Sequence, residues 1–198
     1  TDFDQYLVKS DYQAAQEGFI QPYADSPMDD EQVGEEVYIS MINKAERYCW
    51  FMTPYLIITD EMTHALCLAA KRGVDVRIIT PGMPDKKLIY SITRSFYHGL
   101  VKNGVRIYEW TPGFCHAKMS VADDCMATCG TINLDYRSLY HHFENGCFME
   151  DSQTVLDIRD DLGATMNECR EVTEKYRTGR SAYLRLGQLF MRLFAGLL

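Results

Sequence analysis

The sequence of 198 residues lacks several features that would each indicate a broad class of protein. It has no run near the roughly 20 apolar residues needed to span a bilayer, so we expect any membrane anchor to lie outside it. Basic residues are not in excess either: the formal net charge is −8, which disfavours nucleic-acid binding by neutralisation of phosphates. A signal peptide and an initial methionine are also missing, and we expect the chain to be part of a longer protein.

The cysteine pattern argues against both a disulfide framework and a metal site. The seven cysteines are an odd number, and most lie in apolar runs, which predicts buried free thiols in a reducing compartment. No two have the C-x-x-C spacing of common structural zinc sites, although several lie near histidines: Cys115, Cys125, Cys129, His116, His141 and His142. We therefore predict no metal and no cofactor.

What is present is a regular alternation of helix and strand patterns. Up to Trp110, strand and helix patterns follow one another by turns, which is typical of parallel strands covered by helices. The clearest helix begins at a Thr59 cap and ends at Gly73. After Pro112 come three short strand patterns and a long helix over residues 151–177. We predict an α/β fold with one mixed, largely parallel β-sheet and helices on both faces.

The end of the chain differs in charge from the rest. Five basic residues and no acid occur from Lys175 onward, so the remainder carries −13 (−8 minus 5). Apolar residues in this region have helical spacing: Tyr183, Leu186, Phe190, Leu193 and Leu197. We predict one domain, residues 1–176, followed by a basic amphipathic helix, residues 177–198. Two locations for this helix stay open: the surface of an anionic membrane, or packing against protein within or between subunits.

The residues that suggest chemistry lie in one stretch, residues 116–138, HAKMSVADDCMATCGTINLDYRS. On a strand, His116 and Lys118 face the same side, because successive side chains alternate. An imidazole can accept or release a proton near neutral pH or attack as a nucleophile, and an ammonium supplies positive charge. Together they suit an oxyanion, above all a phosphoryl group during transfer. The alternative without function is a solvated strand face.

The GTIN segment that follows would complete a phosphate site. Gly130 permits close approach of the backbone to a ligand, while Thr131 and Asn133 carry donors for phosphate oxygens unless they are simple turn residues. A carboxylate is also needed to orient the histidine and to set its tautomer. The candidates for this carboxylate are Asp123, Asp135 and Glu144.

This stretch resembles the HKD motif of the phospholipase D superfamily. The match comprises His116, Lys118, Asp123 and residues 130–133, and its one departure is Thr131, where serine is more usual and the hydroxyl is retained. Longer segments resemble the second catalytic half of bacterial cardiolipin synthases, so the resemblance covers roughly residues 18–198. They are QPYADSPMDDEQVGEEVYISMINKA, MTPYLIITDEMTHALCLAAKRGVDVRIITPGMPDKK, YEWTPGFCHAK and GTINLDYRSLYHHFENG.

The resemblance implies a metal-free reaction in which two HKD motifs, from two halves or two subunits, face each other across one site. One histidine forms a phosphohistidine, and the other protonates the leaving alcohol and deprotonates the incoming one. A cardiolipin synthase would convert two phosphatidylglycerols to cardiolipin and glycerol; in the alternative, a phospholipase or phosphodiesterase, water is the acceptor. This chain would be the second half-site, on the cytoplasmic side of a bacterial membrane.

The resemblance also implies partners. They are phosphatidylglycerol, an anionic membrane surface, and either an N-terminal HKD half or a second copy of the chain, with no nucleic acid. By itself the chain would be an inactive half-site unless it forms a homodimer.

Individual roles follow from the same resemblance. His116 is expected to be the general acid and base, because the nucleophile belongs more often to the first half. Lys118 would neutralise phosphate charge, with Thr131 and Asn133 as donors to phosphate oxygens. Glu144 is the expected orienting carboxylate, against the alternative of a surface charge.

Four further residues are less clear. Asp123 belongs to the catalytic motif but is expected to support the local turn, and His142 lies where asparagine is more usual in the family. Tyr23 and Tyr55 lie at predicted strand ends, where open α/β sheets bind ligands, and either line the pocket or belong to ordinary turns.

Overall fold

The structure, a computed structural model, describes Gln13 and residues 17–178. The strands of this part are β1 (Phe19–Asp25), β2 (Tyr48–Met52), β3 (Leu56–Ile57), β4 (Asp75–Pro81), β5 (Arg106–Trp110), β6 (Met119–Ala122), β7 (Met126–Gly130), β8 (Leu134–Asp135), β9 (Glu144–Glu150) and β10 (Cys169–Glu171). The helices are α1 (Val33–Lys44), α2 (Asp60–Lys71), α3 (Lys87–Lys102), α4 (Tyr136–Tyr140), α5 (Gln153–Glu168) and α6 (Thr173–Thr178). The predicted C-terminal helix lies outside the described residues except for its first two residues, which end α6.

Eight strands form one mixed sheet in the order β1-β9-β7-β6-β2-β4-β5-β10, and β3 and β8 form a separate parallel pair. Within the large sheet, parallel pairing joins only β2, β4 and β5. The outer strands pair antiparallel, because β6 returns beside β2 and continues into β7 through a short turn, and β1 and β10 are added at the edges. The mixed α/β sheet is confirmed, but the expectation of largely parallel pairing holds only for the central strands.

Helices cover both faces of the sheet, as the sequence predicts. On one face α1, α2, α3 and α6 pack on strand residues such as Phe51 and Ile78. On the other face α5 packs on Met52 and Ile79. Since successive strand residues point to opposite faces, neighbours in the sequence divide between two cores. Both faces of the central strands are therefore buried, which explains their continuous apolar runs.

Two element boundaries differ from the sequence prediction. The run YCWFMTPYLI, predicted as one strand, divides into β2 and β3 at Thr53 and Pro54, since proline has no N–H to donate to a ladder. The helix predicted over residues 151–177 ends at Glu168, and the next three residues pair with β5 as strand β10. This pairing covers the edge of β5, a tertiary requirement that a helical sequence pattern does not reveal.

The N-cap of α2 and a buried glutamate of α1 connect three helices. The Thr59 hydroxyl caps α2 by accepting the N–H of Met62 at 3.0 Å, as the sequence predicts. The same hydroxyl donates to the Glu35 carboxylate of α1, which also accepts the Tyr140 hydroxyl from the end of α4. Glu35 is 5% exposed, so two donors satisfy a carboxylate that water barely reaches. These contacts tie α1 to α2 and α4.

Gly130, at the end of β7, allows close approach of two backbones. A Cβ at this position would lie 2.4 Å from the Asn145 carbonyl oxygen and 2.6 Å from the Cα of Gly146. Both atoms belong to β9, which begins at Glu144. The absence of a side chain at Gly130 is thus required by a neighbouring strand, and close approach to a ligand at this glycine stays a prediction.

We predict that Gly130→Ala lowers the free energy of unfolding by about 1–3 kcal/mol, the usual cost of overpacking. The same change at Gly163 in α5, where a Cβ meets nothing within 4 Å, is the matched control. Gly163→Ala should stabilise the protein by up to about 1 kcal/mol, because alanine favours helix. Urea denaturation of both variants measures the difference, and equal stabilities would show that β7 and β9 adjust freely.

Candidate active site

The HKD-like residues lie at the edge of the sheet where the parallel strands end. Met52, the last residue of β2, pairs with Met119, the first residue of β6, so the segment before β6 enters at the carboxyl ends of β2, β4 and β5. Open α/β sheets bind ligands at this edge. An open cleft of about 500 Å³ lies there, lined by His116, Lys118, Gly130, Thr131, Asn133 and Glu144, among others.

His116 and Lys118 project into this cleft from the same side, although regular strand begins only at Met119. The Gly130 N–H donates to the Lys118 carbonyl at 3.3 Å and extends the β6–β7 ladder toward His116. His116 is exposed, whereas Lys118 is 9% exposed. The Lys118 ammonium lies 2.9 Å from His116 Nδ1 and 3.2 Å from Nε2, and donates to the His116 carbonyl at 2.7 Å.

The ammonium and the imidazole change each other's protonation. Partial burial and then the positive charge of Lys118 lower the pKa of His116 below its ordinary value of 6.5. Burial also lowers the pKa of Lys118, an effect that the negative charges of Glu144 and Asp135 oppose. At pH 7 the imidazole is therefore neutral, the form that attacks as a nucleophile or accepts a proton.

Thr131 and Asn133 line the cleft, but both already have protein partners. The Thr131 hydroxyl donates to the Glu144 carboxylate and accepts the Asn145 N–H at 3.0 Å. The Asn133 amide donates to the Ser138 hydroxyl at 2.9 Å, and its Oδ1 is buried without a hydrogen-bond partner among the described residues. The structure thus brings both predicted donors to the cleft, and a ligand would compete with these internal bonds.

Glu144 lies in the same cleft, but its described contacts do not include His116. Its carboxylate accepts the Thr131 hydroxyl and lies 3.7 Å from Nδ1 of the exposed His142. The glutamate side chain is 9% exposed. The expectation that Glu144 orients a histidine therefore has no support for His116 of the same chain.

Asp123 lies outside the cleft, at the opposite end of β6 from His116. Its carboxylate accepts the backbone N–H groups of three residues that lead into β2: Glu46 at 2.6 Å, Arg47 at 2.9 Å and Tyr48 at 2.8 Å. Asp123 has φ 55°, the left-handed conformation that aspartate tolerates in turns. This position supports the turn role and places Asp123 apart from the residues that line the cleft at His116.

Two aromatic side chains border His116. The Tyr55 ring meets the imidazole edge-on with centroids 6.2 Å apart, and the Phe114 ring lies 5.9 Å away. Tyr55 is one of the two tyrosines that the sequence places at predicted strand ends. No role for Phe114 is predicted from the sequence, although it precedes His116 by only two residues. The other tyrosine, Tyr23, lines a separate groove between β1 and α1.

Three further properties of the described residues concern metal binding, membrane spanning and the state of the cysteines. Among them, no group of three or more histidine, cysteine or acidic side chains is arranged to hold a metal ion. In the same range, no helix is both long and apolar enough to cross a bilayer. All seven cysteines are free, but only Cys49 and Cys67 are buried, so the expectation of buried thiols is wrong for the other five.

Comparison with known proteins identifies the family. Residues 38–166 match the family described as "Cardiolipin synthase, PLD-like domain", a range that includes every motif residue of the cleft. The chain belongs to this family, within the phospholipase D superfamily. The expected resemblance is thereby confirmed.

Two relatives match almost the whole chain. A cardiolipin synthase of Halalkalibacterium halodurans is 31% identical over 92% of this chain, and a Streptococcus mutans protein named only as uncharacterized is 47% identical over all of it. The chain spans 36% of the first relative and 43% of the second. Both relatives are therefore more than twice as long as the chain.

A solved structure shows the same fold. The phospholipase D family member Nuc from Salmonella typhimurium superposes with a TM-score of 0.67 at 18% identity, covering 78% of this chain and 98% of that one. The phospholipase D-like fold is confirmed by this likeness.

We predict that His116 titrates below its ordinary value of 6.5 and that Lys118→Met raises its pKa, because the change removes a neighbouring positive charge. Histidine NMR over a pH series measures this, with His116→Ala used to assign the resonance. Lys71→Met, at the end of α2, is the matched control and should leave the titration of His116 unchanged. If the pKa of His116 were unchanged in Lys118→Met, the two side chains would not be in contact in solution.

We predict that Asp123→Ala lowers the free energy of unfolding by about 1–3 kcal/mol, because backbone donors lose a charged acceptor. Asp123→Asn should lose less, since asparagine also tolerates the left-handed conformation and keeps an acceptor oxygen. Asp160→Ala, which removes an exposed ion pair with Arg159, should change stability by less than about 0.5 kcal/mol. A normal stability of Asp123→Ala together with lost activity would return Asp123 to the catalytic group.

Proposed function

We propose that this chain is one catalytic half of a phosphatidyltransferase of the cardiolipin synthase type. The observation that carries the proposal is the pairing of an exposed, neutral imidazole with a buried ammonium at the carboxyl edge of a phospholipase D-like sheet. Membership of the cardiolipin synthase family supports the lipid substrate. The length of the relatives supports a second half outside this chain.

The reaction has two steps at one phosphorus atom. A histidine nitrogen attacks phosphorus, the bond to the glycerol oxygen breaks, and glycerol leaves with a proton donated by the facing histidine. The hydroxyl of a second phosphatidylglycerol then attacks, the phosphorus–nitrogen bond breaks, and the facing histidine takes the proton of that hydroxyl. We assign the acid–base role to His116, whose imidazole takes up a proton when the anionic phosphate binds beside it and donates this proton to glycerol. We assign the nucleophilic role to the histidine of the second half.

The other side chains of the cleft have supporting roles in this proposal. A phosphoryl oxygen entering beside His116 replaces the imidazole as partner of the Lys118 ammonium, which neutralises the charge that develops at phosphorus. The second N–H of the Asn133 amide and, once released from Glu144, the Thr131 hydroxyl are available to phosphate oxygens. Glu144 would then orient the histidine of the facing half, since it has no described contact with His116.

The distribution of apolar side chains favours a lipid over a nucleic acid. Among the described residues, eight large apolar side chains are exposed, and five lie at the catalytic edge: Met28, Met83, Leu88, Phe114 and Phe143. Exposed apolar groups at the same edge of the sheet as a polar cleft suit acyl chains and the membrane interface. A polyanionic strand would gain nothing from them, and the net charge of −8 would repel it.

Location at a membrane surface extends the same proposal. Residues 177–198 carry basic and apolar residues in the pattern of a helix that lies on an anionic bilayer, and this segment would hold the cleft against its substrate. We propose that the protein works on the cytoplasmic side of a bacterial membrane. Packing of the segment against protein is the alternative, and vesicle binding by the protein with and without residues 179–198 distinguishes the two.

We predict that His116→Ala in the longer protein containing this chain lowers cardiolipin formation by about 10²–10⁴-fold, the usual contribution of a general acid–base group. The assay supplies labelled phosphatidylglycerol vesicles and separates cardiolipin from phosphatidic acid. His64→Ala, at an exposed position of α2, is the matched control and should retain full activity.

The products distinguish the candidate functions. Cardiolipin as the main product supports transfer, whereas phosphatidic acid alone would show that water is the acceptor. Retained activity in a folded His116→Ala variant would remove His116 from the reaction. Acid quenching followed by peptide mass spectrometry locates the phosphohistidine, and label on His116 would reverse the two histidine roles.

A further inference from the structure

A second pocket adjoins the catalytic cleft. It has a volume of about 180 Å³ and lies between the segment before α3 and the start of α4, with Tyr55, Ile57, Lys86, Ile89, Asp135 and Arg137 in its lining. Tyr55 connects this pocket to the cleft, because it lines the pocket and its ring centroid lies 6.2 Å from that of His116. Nothing in the proposed chemistry at His116 uses this pocket.

Arg137 differs from every other arginine that the structure describes. Seven of these arginines form ion pairs: Arg47, Arg77, Arg94, Arg106, Arg159, Arg170 and Arg177. Arg72 donates instead to the carbonyls that end α1. The guanidinium of Arg137 has no acceptor among the described residues, and this exposed residue lines the pocket. A planar group with five donors and no partner is suited to a phosphate.

The acids near this pocket accept hydrogen bonds from described residues, whereas the two bases form no ion pair within 4.0 Å. Asp85 accepts the Tyr55 hydroxyl at 2.5 Å and the Lys86 N–H at 2.6 Å. Asp135 is 7% exposed and accepts the Ser138 N–H at 2.8 Å. The Lys86 ammonium forms no ion pair within 4.0 Å with a described residue, although its charge helps to lower the pKa of the neighbouring Asp85. The side chains without a protein acceptor are thus both cations, and an anionic ligand would supply one.

The proposed reaction requires such an anion site. The acceptor phosphatidylglycerol carries its own phosphate, which a glycerol bridge separates from the hydroxyl that attacks. While the donor phosphate lies at His116, the acceptor phosphate must therefore lie beside the cleft and not within it. A pocket lined by Tyr55, the aromatic neighbour of His116, satisfies this requirement. The apolar side chains of Ile57 and Ile89 lie at the same pocket, where the rest of a lipid headgroup can pack.

Building on the proposed transferase function, we infer that Arg137 and Lys86 bind the phosphate of the acceptor phospholipid. The ligand class is a phosphodiester or phosphomonoester attached to a hydroxyl-bearing headgroup. Arg137 is a specificity-determining residue in this inference: it selects an anionic acceptor over water and over neutral alcohols. Arg137 takes no part in the cleavage of the donor.

The test lets two acceptors compete for the same phosphatidyl-enzyme. The longer protein containing this chain receives phosphatidylglycerol vesicles and labelled free glycerol, an acceptor without phosphate. Transfer to phosphatidylglycerol gives cardiolipin, and transfer to glycerol gives labelled phosphatidylglycerol. Arg137→Gln should lower the ratio of cardiolipin to labelled phosphatidylglycerol by about 10- to 100-fold, the loss expected for a charge-assisted contact.

Three further variants calibrate the result. Arg137→Lys should recover part of the ratio, because the charge is kept and the planar fork is lost. Lys86→Gln should lower the ratio less than Arg137→Gln, because the flexible lysine side chain positions a phosphate less well than the planar guanidinium of arginine. Lys71→Gln, an equal change of charge at the exposed end of α2, is the matched control and should leave both products unchanged.

Three other outcomes of the competition experiment would contradict the inference or the proposed function. An unchanged ratio in Arg137→Gln would show that the acceptor phosphate binds elsewhere. An equal fall of both products would assign Arg137 to the fold or to the reaction centre, and not to acceptor choice. If the unmutated protein formed neither product, the transferase function would be wrong and this inference would fall with it.

Discussion

The catalytic edge depends on the antiparallel pairing of β6 with β2, which sets Met119 opposite Met52. Because β2 runs parallel to β4 and β5, this one reversal brings the start of β6 to the edge where three other strands end. His116 and Lys118 precede β6, so they meet the loops that carry Tyr55 and the segment before α3. If β6 ran parallel to β2, the same two residues would lie at the opposite edge, away from every one of these groups.

Much of the fold was predictable from local pattern. The helix from the Thr59 cap to Gly73 needed only a capping side chain and a glycine, and Gly73 does have the positive φ of 98° that favours glycine. Patterns that depend on distant parts of the chain were not predictable in this way. Strand β10 exists because β5 would otherwise leave an open edge, and parallel against antiparallel pairing depends on the path of the chain between strands.

The candidate site was predictable to the extent that the motif is local. Alternation along one strand placed His116 beside Lys118, and the GTIN segment follows the strand that pairs with it. Asp123 shows the limit of motif reasoning, since a residue can belong to a catalytic pattern and yet serve the turn at the far end of the strand. Arg137 lies in the same stretch, but only the structure reveals that its guanidinium lacks a partner where other described arginines have one.

The order of exposure in the cleft has a consequence for what enters it. An approaching molecule meets the half-buried Tyr55 and the exposed Phe114 and His116 before it reaches the ammonium of Lys118, which lies deeper at 9% exposed. Aromatic rings interact favourably with apolar groups and less so with a hydrated anion. Dissolved phosphate and other small hydrophilic anions gain only from the last of these encounters, whereas an amphiphile gains from all of them. The arrangement thus favours an amphiphile over small hydrophilic anions as the molecule that reaches both His116 and Lys118.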